Sequence, residues 1–204
     1  MDVHTIVMFL LRWMHYIAGI TWIGLLYFFN FINANVAKTY DADTKKKVVP
    51  ELMPRALFFF RWGAMVTFLT GWIFIGWKIF IASDAGFSGE GGLMSSTWGY
   101  WISLGATLGT IMWFNVWFII WPSQKRIITA VRDGQSPPEI PALVSKATLA
   151  SKINTYLSVP LLFSMGAASH LPVFNPVLVI GMLAVSWALV YHLYKVAPLV
   201  GKLK

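Results

Sequence analysis

The residues of widest chemical reach in this sequence are its four histidines, His4, His15, His170 and His192, and all four fall on or at the ends of long apolar stretches. His4 and His15 are eleven residues apart. On a helix that spacing leaves them within about 20° of one face and about 16 Å apart along the axis. Counted from the same side of the apolar segments, His4 and His170 form a shallow pair, while His15, about 14 Å down, and His192, about 22 Å down, form a deeper one. Helix bundles hold b-type haems by such stacked histidines, whose imidazole nitrogens ligate iron inside a dry cavity. The spacing is compatible with two haems, one between His15 and His192 and one between His4 and His170. The first pair then needs helix tilt to close a depth mismatch of about 8 Å. The spacing is also compatible with one haem between His15 and His170, with a proton relay, or with a metal lacking a porphyrin. For His4 and His170 there is the plainer reading of imidazoles at an interface.

Cations accompany the histidines. Arg12 lies one turn before His15 on the same face, Arg61 about five residues into the second apolar segment, and Lys78 near that segment's far end. Haem propionates call for such partners, although Arg61 and Lys78 could equally snorkel to an interface. Small residues after His15 (Ala18, Gly19, Gly24) and before His170 (Gly166, Ala167, Ala168) leave room for a planar ring, or for close helix packing. The Gly105-x-x-x-Gly109 pair reads as packing, and Asn115, Asn154 and Tyr156 as interhelical hydrogen-bonding groups.

The elements that must position these residues follow from composition. With 57% hydrophobic and 12% charged residues, the chain departs from soluble domains, which carry about a quarter charged residues. The expected fold is an all-α integral membrane protein, a five-helix transmembrane bundle forming one domain over 1–204. Its apolar segments run at about 5–35, 56–81, 97–121, 147–171 and 177–199, each close to or above the roughly 20 residues that span a bilayer. Arg12 and His15 then sit at membrane depth, where an arginine costs about 2.5–3.5 kcal/mol and is read by default as functional.

The basic residues cluster between the first and second segments (Lys38, Lys45, Lys46, Lys47, Arg55), between the third and fourth (Lys125, Arg126, Arg132, Lys146) and after the fifth (Lys202, Lys204). The other two connections have none. The positive-inside rule therefore places the N-terminus outside and the C-terminus in the cytoplasm, as in a bacterial inner (cytoplasmic) membrane. The net charge of +8 is accounted for by these loops, so no nucleic-acid partner is expected. Absence of cysteine excludes disulfides, iron–sulfur clusters and thiolate metal sites. The first residues lack a basic n-region, so the first helix is expected to remain in place. The Gly-rich acidic stretch from Ser83 to Gly92 reads as a flexible external turn.

Several stretches together resemble the N-terminal membrane domain of the membrane-bound urate hydroxylases: Arg12-Trp-Met-His-Tyr-Ile-Ala-Gly-Ile-Thr-Trp-Ile-Gly, Phe59-Phe-Arg-Trp, Gly109-Thr-Ile-Met-Trp-Phe-Asn-Val-Trp-Phe-Ile-Ile-Trp-Pro-Ser-Gln-Lys, Asn154-Thr-Tyr-Leu-Ser-Val-Pro with Ser169-His170, and the region of His192. The resemblance implies roles for His15, His170, His192, Arg12, Asn115 and Asn154, and a cytochrome c as electron acceptor. The chain departs from the family pattern at Ser103 and Ile153, where relatives place histidines, and it has no cytochrome c haem-attachment motif.

The function expected from residues and resemblance is a membrane b-type cytochrome. It would hold one or two haems b through His15, His192, His170 and His4, with Arg12 and Arg61 as further cofactor contacts. It would transfer electrons within the lipid bilayer as a subunit or partner of a larger respiratory or redox complex, with a cytochrome c or a quinone as candidate partners. One alternative is a urate-hydroxylase-like oxidoreductase passing electrons to a separate cytochrome c. Another is a non-redox accessory subunit whose histidines are structural.

Overall fold

Helix ends are set by caps and breakers at recognisable positions. Asp41 accepts a hydrogen bond from the Thr44 amide at 2.7 Å, Ser96 from Gly99 at 3.0 Å, and Asn175 from Leu178 at 2.8 Å. Each satisfies an amide that the first turn of a helix leaves free. Pro176 follows Asn175 at the first helical position, where its missing N–H costs nothing. Gly134 ends its helix in the left-handed region at φ 66°, a conformation that glycine adopts without penalty.

The computed structural model describes residues 2–83 and 85–201. Lys202 and Lys204, and Asp84 of the acidic turn, lie outside the described residues. The described chain is helical, without strands, in five long runs: α1 (Val3–Val36), α2 (Ala42–Ile81), α3 (Thr97–Asp133), α4 (Ile140–His170) and α5 (Pro176–Val196). α1, α2, α3 and α5 are long and apolar enough to cross a membrane.

Three runs outlast the apolar segments that announce them. α2 begins at Ala42 rather than near 56 and passes through Pro50 and Pro54, α3 continues to Asp133 rather than stopping near 121, and α4 starts at Ile140. Hydropathy marks only the apolar part of a helix, whereas capping and turn chemistry mark its ends. Three helices also contain a π-helical turn, Phe28–Asn33 in α1, Trp77–Ile81 in α2 and Asn115–Ile120 in α3.

α1 packs mainly on α2, and the first half of α3 on α4. α5 leans on α4, and α1 and α4 meet only sparsely. The main core joins Trp22 and Leu26 of α1, Phe60 and Ala64 of α2, Met112 and Val116 of α3 and Leu161 of α4. α4 is not among the runs apolar enough to cross a membrane by composition, and its polar side chains point inward: Asn154, Thr155, Ser158 and Ser164 are fully buried. Gly105 of α3 lies against α4, where a Cβ would run into Ser164 and Met165, so this position serves close helix approach as its sequence context suggests.

The segment after α2 is more ordered than a flexible turn. The Met94 amide donates to the Phe87 carbonyl at 2.7 Å, the Gly92 amide to the Gly89 carbonyl at 2.8 Å, and the Leu93 side chain is buried.

Candidate functional site

Where α1 and α4 part, a cavity of about 480 Å³ opens between α1, α2, α3 and α4, a size within the roughly 300–1,000 Å³ of small-molecule sites. Its walls are mostly apolar and aromatic, including Trp22, Tyr27, Phe68, Trp72, Phe74 and Trp98. Besides the hydroxyls of Tyr16 and Tyr27, polar groups enter at few points: Arg12, His15, Thr67, Thr110 and Ser169. The buried indole Nε1 of Trp22 has no protein partner.

His15 is the chemically defined member. Its Nδ1 lies 3.2 Å from the Thr70 hydroxyl. That hydroxyl already donates to the Val66 carbonyl at 2.6 Å, so toward His15 it can only accept. This contact assigns the proton to Nδ1, which leaves Nε2 with a free lone pair. An imidazole held at one nitrogen and free at the other is the arrangement of metal-ligating histidines, and equally of a general base. Gly71 of α2 makes the placement possible, since a Cβ there would stand 3.1 Å from His15 Cε1.

Two cations stand near the cavity. The Arg12 guanidinium carbon is 4.9 Å from the Phe74 ring centroid, and Lys78 Nζ is 3.4 Å from that of Trp98. Both rings line the cavity. Neither cation forms an ion pair among the described residues, so an anionic group bound beside them would meet uncompensated positive charge.

The other candidate residues are dispersed. His4 is half-buried with its ring 6.0 Å from Trp77 and its Nδ1 without a partner among the described residues, outside the cavity lining. His170 is exposed at the end of α4, one residue beyond Ser169, which does line the cavity. His192 is exposed on α5 and lines nothing here. Tyr194 of α5 donates to Asn30 of α1 at 2.9 Å, which sets His192 near the level of Phe28. That is about 20 Å of helix rise beyond His15. The depth mismatch is thus larger than chain counting suggests, and the fold does not bring His15 and His192 together. Arg61 also sits elsewhere, over Trp121 at 4.0 Å, with its backbone carbonyl accepting from Trp117 Nε1 at 3.1 Å. Of the six candidates, the cavity gathers His15 and Arg12.

Asn115 and Asn154 join one another rather than the cavity. Asn115 Nδ2 donates to Asn154 Oδ1 at 2.8 Å, and Asn154 Nδ2 to the Met112 carbonyl at 3.0 Å. Thr70 and Gly71 are the site residues that sequence reasoning misses. A threonine and a glycine in an apolar helix carry no signal until α1 is laid against α2.

Residues 92–199, a little over half of the chain, match the family model described as urate oxidase N-terminal. No curated protein and no solved structure matches the chain. The matched residues cover α3, α4 and α5, so Arg12 and His15 lie ahead of them.

Proposed function

Because the chain belongs to the urate oxidase N-terminal family, we propose that it is a membrane-embedded redox protein whose cavity holds a single b-type haem on His15. The observation that carries this reading is the free Nε2 of His15, fixed by the Nδ1–Thr70 contact inside a cavity whose edge carries two cations with no ion-pair partner among the described residues. The residues present fit the group. Nε2 would be the nitrogen that holds the iron, Thr70 would hold its orientation, Gly71 leaves the imidazole its space, and Arg12 and Lys78 would suit propionates. His170, exposed and next in sequence to the cavity-lining Ser169, would be the candidate for a second ligand. His4 and His192 have no part in the site, so two haems are not proposed. Bound there, haem would supply one-electron transfer, with its potential set by ligands and surroundings.

The chain's own contribution is a dry, aromatic enclosure and fixed positive charge. Four helices long and apolar enough to cross a membrane, and large aliphatic side chains facing outward on α1 and α5, support a bilayer setting. In that setting all five helices span as one domain, N-terminus outside, in a bacterial inner membrane. Electrons pass to a cytochrome c or a partner subunit of a redox complex.

A second reading is favoured by the presence of one histidine rather than two in the cavity lining. The site then takes a small planar anion of the kind the family's name denotes, and His15 Nε2 accepts its proton. A reduced-minus-oxidised spectrum with haem quantitation on detergent-purified protein separates the two. The expected result is a b-type spectrum at one haem per chain, lost in His15→Ala and kept in His192→Ala. A colourless, folded protein purified with haem in supply overturns the haem reading and leaves the second.

A further inference from the structure

Tyr27 lines the floor of the cavity, and behind it a file of polar side chains runs to the basic end of the bundle. The Tyr27 hydroxyl is 2.9 Å from Ser158 Oγ. Ser158 donates to the Thr155 carbonyl at 2.8 Å, and Thr155 Oγ1 to the Ser151 carbonyl at 3.0 Å. Ser151 Oγ accepts from Asn30 Nδ2 at 2.8 Å, and Asn30 Oδ1 from Tyr194 at 2.9 Å. Exposed Lys152 stands 5.5 Å over the Tyr194 ring. Ser158 and Thr155 are fully buried, and the file coincides with the π-helical turn Phe28–Asn33, a distortion found frequently at functional sites.

We propose that this file is a proton route between the cavity and the basic end of the bundle. Since Ser158 spends its own proton on the Thr155 carbonyl, Tyr27 donates to Ser158. The hydroxyls at the cavity end thus point their protons away from it. A proton released in the cavity is taken by the Tyr27 oxygen as the phenol proton moves to Ser158 and Ser158, swung off the Thr155 carbonyl, hands its own proton to a water or the next hydroxyl, so no charged phenolate or serine is left behind. The same hydroxyls, rotated, carry a proton inward. The carbonyls of Ser151 and Thr155 and the side-chain amide of Asn30 hold hydrogen bonds but do not pass a proton. A hydroxyl swinging off its carbonyl, or a water between neighbouring hydroxyls, completes each step. The Ser158 and Thr155 bonds to carbonyls lie within α4, and the Tyr27, Asn30 and Tyr194 contacts join α1, α4 and α5; contacts of the second kind also serve as glue between membrane helices, and here they fall in sequence from the cavity floor to the basic end.

The function of the route rests on the reading that the cavity holds a redox group, and the experiment keeps the two apart. The purified protein is reconstituted with its basic end toward the lumen of vesicles containing pyranine, then reduced with external dithionite and reoxidised with external ferricyanide. In the wild type a lumenal pH change accompanies each redox step. In Ser158→Ala, behind the cavity wall, the absorbance change persists and the lumenal pH change is lost. A Ser158→Ala variant that keeps both overturns the route. If no reducible group is seen, the redox reading fails by itself, and thiol labelling decides the route. The chain has no cysteine, so Ser158→Cys and the buried control Ala147→Cys can be compared directly. Labelling of Ser158→Cys by a small charged methanethiosulfonate from the basic side, with Ala147→Cys protected, supports a hydrated route; protection of both overturns it.

Discussion

At the scale of single residues, the site turns on which nitrogen of His15 carries its proton, and that is decided by a threonine on another helix. Thr70 is committed as a donor to the Val66 carbonyl, so it can only receive from His15. Thr70→Val keeps the shape and removes the acceptor. The ring then loses its anchor, and partners of this kind are worth about 10- to 100-fold in metal affinity. Haem titration of the apo variant should show a loss of that order with the fold intact. Affinity equal to wild type would mean that Thr70 does not orient the ligand. His15 and Arg12 were legible in the sequence because an ionisable group within an apolar run is conspicuous. Thr70 and Gly71 were not, because their role exists only across the α1–α2 contact. The pairing of His15 with His192 failed for a related reason: depth counted along each segment ignores how far α5 is shifted against α1, which the Tyr194–Asn30 contact fixes.

At the scale of elements, α4 shows why hydropathy reads some helices well and others poorly. It is not among the helices apolar enough to be recognised as crossing a membrane by composition, yet it touches α1, α3 and α5. Its polar residues are buried against those neighbours, where they replace the apolar surface that an outer helix would show to lipid. The Asn115–Asn154 pair is the clearest case, with Asn154 fully buried and bonded twice to α3. Asn154→Ala leaves the Asn115 amide and the Met112 carbonyl without these partners in the core. Unsatisfied buried groups cost about 1–3 kcal/mol each, although hydrogen bonds in membrane bundles average nearer 0.6 kcal/mol. Unfolding in detergent should therefore show a destabilisation of about 1–3 kcal/mol in total. A loss confined to haem content, with stability unchanged, would instead make Asn154 a cofactor residue. The sequence reading of Asn115 and Asn154 as interhelical bonds is the arrangement found. The three π-helical turns were not readable, since no residue pattern distinguishes them from ordinary α-helix.

At the scale of the whole molecule, the charges carry the orientation. Lys45 to Lys47 begin α2, and Lys125, Arg126 and Arg132 occupy the end of α3, so the two clusters lie at one end of antiparallel neighbours. The closeness of Lys46 to Gly134, where a Cβ would stand 3.5 Å from Nζ, places the clusters side by side. The turn after α2 is at the opposite end and, among its described residues, carries no lysine or arginine. In a membrane this asymmetry favours keeping the Lys46 end in the cytoplasm, and the cavity edge with Arg12 and Lys78 then faces the outer side. Because the chain lacks cysteine, the orientation can be read with two single substitutions at exposed positions, Ser88→Cys and Lys45→Cys. A membrane-impermeant maleimide should label Ser88→Cys in intact spheroplasts, and Lys45→Cys only after the membrane is opened. The reverse pattern would put the cavity mouth on the cytoplasmic side, where a periplasmic cytochrome c could not serve as the acceptor and the Tyr27 file would lead outward.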